Sequence, residues 1–287
     1  MCIRDRVETL RWDASFPVLR LTGSGTRQFL HGQTSAAIQQ APEHQLIRSC
    51  WLTATGRVQA LLEVRLDPEG ADVLVLCGDS EAVLTGFDRV IFPADRVKVA
   101  LGGTRRRVQR LRPAPHPPKW NEVVLWPEDN TLPAAWEQLM PASQAHLEDW
   151  RISQGLPFSA AELNGDTNPL ELGLGDWISL DKGCYLGQET VAKLASRDGV
   201  KQKLRCWTLP ADDVTSEGPG PGDTLLANGD RAGTITSSVQ DGNRWHGLAL
   251  IRRSFLTQPT LNKANGGQAV ALSQPPAFQD CGSAAAD

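Results

Sequence analysis

Three apolar runs stand close together near the start of the chain: "HQLIRSCWLT" (44–53), "GRVQALLEVRL" (56–66) and "ADVLVLC" (71–77). Each reads as a strand. The links between them, "TATG" and "DPEG", are a few residues long and made of turn formers. A parallel connection needs a dozen residues or more, so these strands must pair antiparallel, as hairpins. "FPVLRLTG" (16–23) and "DRVKVAL" (95–101) read as further strands. Between them, "SGTRQFLHGQTSAAIQQ" has a helical face at Phe29 and Leu30, with Ser24 or Thr26 as the expected cap. "DSEAVLTGFDRVIF" (79–92) has helical spacing at Ala82, Val83, Phe87, Val90 and Ile91. The expected fold class is α+β, antiparallel hairpins with helices laid over them.

"RRRVQRLRPAPHPPKW" (105–120) carries five arginines and then four prolines, which suits a joint between subdomains. "EVVLW" (122–126) is a short strand, and "PAAWEQLM" and "ASQAHLEDWRISQGLP" have helical character, with a stop at Gly155–Leu156–Pro157. After about residue 203 the texture changes to short strands, "KLRCWTL", "DTLLA", "RAGTITSSV" and "RWHGLALI", set apart by "PGPGD", "NGD" and "QDGN". That pattern predicts a small antiparallel barrel. The expected division is an N-terminal α+β subdomain (1–112), a second α+β subdomain (113–202), a C-terminal β-barrel (203–274) and a disordered tail (275–287).

With 40% hydrophobic and 22% charged residues over 287 positions, the chain can bury a real core. A net charge of −4 argues against a nucleic-acid coat or a polybasic membrane binder. No run of 18 apolar residues occurs, and "MCIRDRVETLRW" lacks the apolar stretch of a secretory signal. The six cysteines are scattered, form no C-x-x-C pair and have no histidine at ligand spacing, so no metal site of the chain's own is expected. Such cysteines fit reduced thiols in a cytoplasmic compartment. "GSGTRQ" (23–28) lacks the third glycine of a dinucleotide fingerprint, with Gln28 in its place. The arginine run reads as a solvated strand face or inter-domain patch, and direct nucleic-acid contact is not expected.

"DKGCYLGQETVAK" (181–193) is different in kind. It places Cys184 beside the only tyrosine of the chain, Tyr185, and before a helix start near Gly187. Lys182 and helix N-terminal amides would both favour a thiolate at Cys184. Gly183 and Gly187 allow a sharp turn or the close approach of a ligand. Gln188 and Glu189 offer an amide and a carboxylate suited to the N–H edge of a heterocycle. On chemistry alone, a working site and a tight turn with an incidental thiol both remain open. Cys50, Cys77 and Cys206 lie in apolar runs and read as buried hydrophobes.

The stretch "KGCYLGQE" (182–189) resembles the K-G-C-[YF]-x-G-Q-E signature of the YgfZ-type folate-binding proteins, relatives of the glycine-cleavage aminomethyltransferase. "FLHGQTS" (29–35), "LTATGRVQALLEV" (52–64), "DWRISQGLPF" (149–158) and "NPLELGLGDWISLDKGCYLGQETVAKL" (168–194) extend the resemblance over about residues 15–260. It implies subdomains around a folate-sized opening, ending in a small barrel. It implies tetrahydrofolate or a one-carbon derivative as ligand, and iron–sulfur client enzymes or assembly proteins, tRNA-modifying enzymes among the clients, as partners. Carried over residue by residue, it makes Cys184 and Lys182 the chemically active pair. Tyr185, Gly187, Gln188 and Glu189 become ligand-binding residues, with Glu162, counted back from Pro169, as a pterin contact. Two departures stand out. Lys193 replaces the family's common arginine, and Ala60 and Leu61 stand where the aminomethyltransferases carry an acidic pair. The resemblance therefore implies an accessory protein, with a folate-dependent aminomethyltransferase as the alternative.

Overall fold

The structure, a computed structural model, describes residues 9–111, 123–129, 131–197, 199–210, 218–264, 266 and 268–280. Its sheet begins with the long strand β1 (Leu10–Thr22), passes through helix α1 (Thr26–Gln33) and continues as β2 (Leu46–Leu52), β3 (Val58–Asp67) and β4 (Gly70–Cys77). Helix α2 (Ser80–Asp88) leads to β5 (Lys98–Leu111) and the short β6 (Val124–Leu125). In space the order is β2-β3-β4-β1-β5-β6, paired antiparallel. The turn chemistry explains the hairpins. Asp67 Oδ1 accepts from the N–H groups of Glu69 and Gly70, both at 2.9 Å, closing the turn from β3 to β4. Gly56, at φ +72°, donates its N–H to Thr53 O at 2.9 Å in the turn from β2 to β3.

β3 is apolar on both faces because both faces are covered. Ala60, Leu62, Val64 and Leu66 pack with Phe29 and Leu30 of α1 and with Val83 and Phe87 of α2. Leu61 joins a second core with Leu172, Trp177, Leu204 and Leu248. Each fully buried leucine contributes roughly 2 kcal/mol of transfer free energy. Asp79 caps α2, its side chain accepting from Glu81 and Ala82 N–H. α1 differs from expectation: Gly25 is its N-cap, and neither Ser24 nor Thr26 provides a side-chain cap.

Helices α3 (Ala134–Glu137), α4 (Gln144–Gln154) and α5 (Gln188–Ser196) occupy the middle of the chain. Gly155, at φ +81°, ends α4 by donating to the carbonyls of Arg151 and Ile152, as its position predicts. The last strands, β7 (Gln202–Pro210), β8 (Thr224–Ala227), β9 (Asp230–Asp241), β10 (Arg244–Arg252), β11 (Thr260–Lys263) and β12 (Val270–Ser273), close into the barrel β10-β7-β12-β11-β8-β9. Trp207, Leu225, Ile235 and Ile251 fill it.

Three further features depart from the sequence reading. β5 runs unbroken through Arg105–Arg107, so the expected joint does not begin there; residues 112–122 lie outside the described residues. β6 pairs with β5 at Val108↔Leu125, so the packing crosses the expected division at 112. Residues 275–280, expected to be disordered, are ordered against the middle segment. There Phe278 is 5% exposed, Gln279 N–H donates to Gly173 O at 2.9 Å, and Gly175 N–H donates to Gln279 O at 3.1 Å. Ala277 is buried as well, its N–H donating to Gln154 O at 2.9 Å, and Lys203 Nζ donates to Asp280 at 2.8 Å, contacts that a composition reading of the tail passes over. Residues 281–287 are outside the described set.

Three arginines of the run are paired with carboxylates. Arg105 pairs with Asp72 at 2.6 Å and Arg106 with Asp13 at 2.8 Å. Arg107 is buried on Glu63.

Candidate functional site

The motif residues form a short loop anchored at both ends, with its thiol outside. Lys182 Nζ donates to the carbonyls of His31 and Thr34, and to that of Ala36 at 2.7 Å. It also sits 4.5 Å from the Tyr185 ring centroid. These carbonyls belong to the C-terminal end of α1 and the turn after it, where the helix dipole favours a cation. Burial pulls the Lys182 pKa from 10.5 down to about 7. Three acceptors oppose that shift, since an ammonium has three N–H bonds to give and a neutral amine only two. Lys182, expected to tune the Cys184 thiol, has its donors committed to the carbonyls of His31, Thr34 and Ala36.

Gln188, expected to offer its amide to a heterocycle, folds back on the loop. Its Oε1 accepts from Tyr185 N–H and its Nε2 donates to Lys182 O, both at 3.3 Å. Gly187, at φ +83°, is the N-cap of α5, and a Cβ there would lie 2.6 Å from Thr53 O. Only glycine fits that contact. Glu189 is exposed in the first helical turn and Lys193 lies in the last, each on the side the dipole favours. Cys184 is exposed. A groove of about 890 Å³, lined by polar and apolar side chains alike, runs from His31 along Leu46–Arg48 to Asp181–Gly183, at the foot of that loop.

Glu162 lies apart from the motif, fully buried. It accepts from Ser237 Oγ at 2.6 Å, from Ser159 N–H at 2.8 Å and from Arg151 Nη1 at 3.4 Å. Arg151 holds the region together. Its Nε donates to Glu148 at 2.6 Å, Nη2 to Glu148 and to Ser237 Oγ at 2.8 Å, and Nη1 to Leu156 O at 3.3 Å besides Glu162. All five guanidinium N–H bonds are therefore committed. This hub ties α4 to the barrel.

Arg151 also forms part of the wall of a cavity of about 220 Å³. Trp12 of β1, Leu76 and Cys77 of β4, and Phe158 line it on one side. Gln144, Leu147, Glu148 and Arg151 line the other, at the i, i+3, i+4, i+7 spacing of one helical face, together with Trp150. Trp12 and Phe158 lean together at 5.9 Å between centroids. None of Lys182, Cys184, Tyr185, Gly187, Gln188, Glu189 or Glu162 lines this cavity. Sequence reasoning named none of its residues as a ligand contact, although Cys77 was read as a buried hydrophobe and 149–158 was part of the resemblance.

Ala60 and Leu61 are fully buried, so β3 presents no carboxylate there. Two residues on, Glu63 is a carboxylate the sequence reading missed. Arg107 grips it with Nε at 2.7 Å and Nη2 at 2.8 Å, and Arg48 Nε is 3.4 Å away. Burial pushes the Glu63 pKa up, but the two guanidiniums pull harder and hold it below the usual range. The Arg107 guanidinium lies 4.9 Å from the Trp12 ring centroid, which backs the cavity wall with a buried charge pair. Cys50 is buried as expected, whereas Cys77 and Cys206 are half-buried. Burial pushes the thiols of Cys50 and Cys206 up to about 12 and that of Cys77 to about 11. Among the described residues no three His, Cys, Asp or Glu side chains gather as a metal site, and no helix is long and apolar enough to cross a membrane.

No family model matches the chain. It is 27% identical over 281 residues to a chloroplastic protein of Arabidopsis thaliana named as a transferase, an alignment covering 83% of this chain and 64% of that protein. It is 30% identical over 141 residues to an aminomethyltransferase of Caldanaerobacter subterraneus, covering 48% of this chain and 36% of that one. It is 32% identical over 145 residues to a mitochondrial iron–sulfur cluster assembly factor of Mus musculus, covering 47% and 38%. The chain thus spans less than two thirds of the length of each of these relatives. Among solved structures, glycine cleavage system aminomethyltransferase T from Bartonella henselae superposes with a TM-score of 0.70 at 15% identity, over 96% of this chain and 88% of that one. The chain is related to the aminomethyltransferases and has their fold.

Proposed function

We propose that this protein binds tetrahydrofolate or a one-carbon derivative in the cavity between the sheet and α4, and supports iron–sulfur clusters in client enzymes, tRNA-modifying enzymes among them. The observation that carries the ligand reading is the cavity itself: three aromatic side chains, Trp12, Trp150 and Phe158, beside a fixed guanidinium, Arg151. A flat heterocycle stacks on such walls. The volume suits a ring system rather than a whole folate, so the remainder of the ligand would extend outward. Residues present therefore fit the group, with Glu162 acting through Arg151 rather than by touching the ring.

The accessory reading rests on what β3 lacks. A general base must lie within reach of the proton it removes. Ala60 and Leu61 have none, and Glu63 is sealed by Arg107. The iron–sulfur reading draws on the name of the mouse relative and on Cys184, an exposed thiol on an anchored loop. Partners would be iron–sulfur client enzymes or assembly proteins in the cytoplasm.

Calorimetry with a reduced folate tests the ligand. The expected result is micromolar binding, roughly −8 kcal/mol, weakened at least tenfold in Arg151→Met. Absence of heat at millimolar folate would remove the cavity reading. Robust aminomethyl transfer from a lipoyl carrier would instead favour the transferase alternative.

A further inference from the structure

β2 is the last strand of its sheet, and among the described residues no strand lies beyond it. Near its end the outer edge is already taken: Ser35 N–H donates to Cys50 O at 3.0 Å, and Thr34 bridges Trp51. Alternate residues of an antiparallel strand turn their main chain to the same side, so Leu46 and Arg48 face the way Cys50 does. There the edge opens into the groove of about 890 Å³. The groove straddles the sheet. Ala36, Ala41 and Ile47 on its walls belong to the core under α1 and α2, whereas Leu46, Trp177 and Ile178 belong to the core on the opposite face. A strand edge with an apolar wall from each face has the shape that an added strand fills. The cations of the groove are engaged, Lys182 with three carbonyls and Arg48 with Glu63 at 3.4 Å. His31 Nδ1 accepts from the N–H groups of Ile38 and Gln39, which keeps its ring neutral. The carboxylates of Asp176 and Asp181 are exposed on the wall and make no hydrogen bond or ion pair among the described residues.

We propose that this groove docks an extended segment of a partner protein, which adds to the outer edge of β2 as one more strand and sets lysine or arginine side chains against Asp176 and Asp181. Main-chain hydrogen bonds to β2 supply the affinity, and the two carboxylates supply the selection, favouring a basic segment and repelling an acidic one. Both carboxylates belong to the wall formed by 176–183. Successive side chains of a strand turn to opposite faces, so the fitting segment alternates basic residues toward that wall with apolar residues toward Ala36 and Ile47. Gly183, the last residue of the wall, adjoins the exposed Cys184, and a docked segment brings its parent protein to that thiol. The inference goes beyond the ligand reading and does not depend on it.

The test uses a capped peptide of alternating lysine and valine, about ten residues long, and its glutamate–valine counterpart. Two further lysine–valine peptides are N-methylated, one on every lysine and one on every valine. Each is titrated into the full chain at low salt and followed by fluorescence anisotropy. The lysine peptide should bind about tenfold more tightly than the glutamate one, from ion pairs gained in the first and repulsion in the second. In Asp176→Asn/Asp181→Asn, isosteric changes at exposed positions, that ratio should fall to about two, the remainder owed to the net charge of −4. One N-methylated peptide should lose binding and the other keep it, because a strand meets its neighbour through alternate N–H groups only. Absence of binding at millimolar lysine peptide, equal affinity for the two charges, or a ratio unchanged in the double variant overturns the docking site. Two N-methylated peptides that behave alike overturn the strand pairing and the proposal with it.

Discussion

Chemistry in this protein is set by which side chains are already committed to partners. Lys182 is engaged by three carbonyls, Gln188 by its own loop and Glu162 by three donors. Cys184 is exposed, while burial holds Cys77 to about 11 and Cys50 and Cys206 to about 12. At pH 7–8 those three are thiols, and the thiolate is the reactive form. A mild alkylating reagent should therefore label Cys184 before Cys50, Cys77 and Cys206, as peptide mapping by mass spectrometry would show. Labelling of Cys50 or Cys206 first would contradict the packing around them. Cys184→Ser should change stability by no more than about 0.5 kcal/mol, as a surface change away from the core does. It should still fail to restore iron–sulfur enzyme activity in cells lacking the native protein.

Between elements, the decisive contact is that of α5 with the turn joining β2 to β3. Gly187 and Gly56 meet there back to back: a Cβ on Gly187 would fall 3.0 Å from Gly56 Cα and 2.6 Å from Thr53 O. Alanine at 187 would meet both a left-handed backbone and a backbone clash, an expected loss of upwards of about 2 kcal/mol. Gly183, four residues earlier, has nothing within 4 Å of its would-be Cβ. Alanine there should cost less than about 0.5 kcal/mol. Urea unfolding of the two variants measures the contrast, and equal losses would mean that the loop is not anchored at Gly187. The helix start near Gly187 was legible from local sequence, since a helix beginning after glycine is a local signal. The partner across the contact was not, because nothing local to 187 specifies residue 53.

At the level of the whole molecule, the last described residues clamp the barrel to the middle of the chain. Phe278 is 5% exposed, and the Arg205 guanidinium of β7 stands 5.6 Å from its ring centroid. A Cβ on Gly173 would come 2.4 Å from the same ring, so the glycine makes room for it. Phe278→Ala should cost about 3 kcal/mol, as deletion of a buried aromatic does. Chemical denaturation checks this, and a loss below about 1 kcal/mol would show the tail to be dispensable. The hairpins, the helix over 144–154, the closing barrel and the loop carrying Cys184 could be read from the chain alone. They rest on turn residues and on periods of two or 3.6, which act over a few positions. The ordered tail, the cavity and the arginine hub could not. Lys182 meets His31 across 151 positions and Arg151 meets Ser237 across 86. Such pairings exist only once the sheet and barrel have closed around a shared core, and packing rather than pattern decides which polar groups find each other.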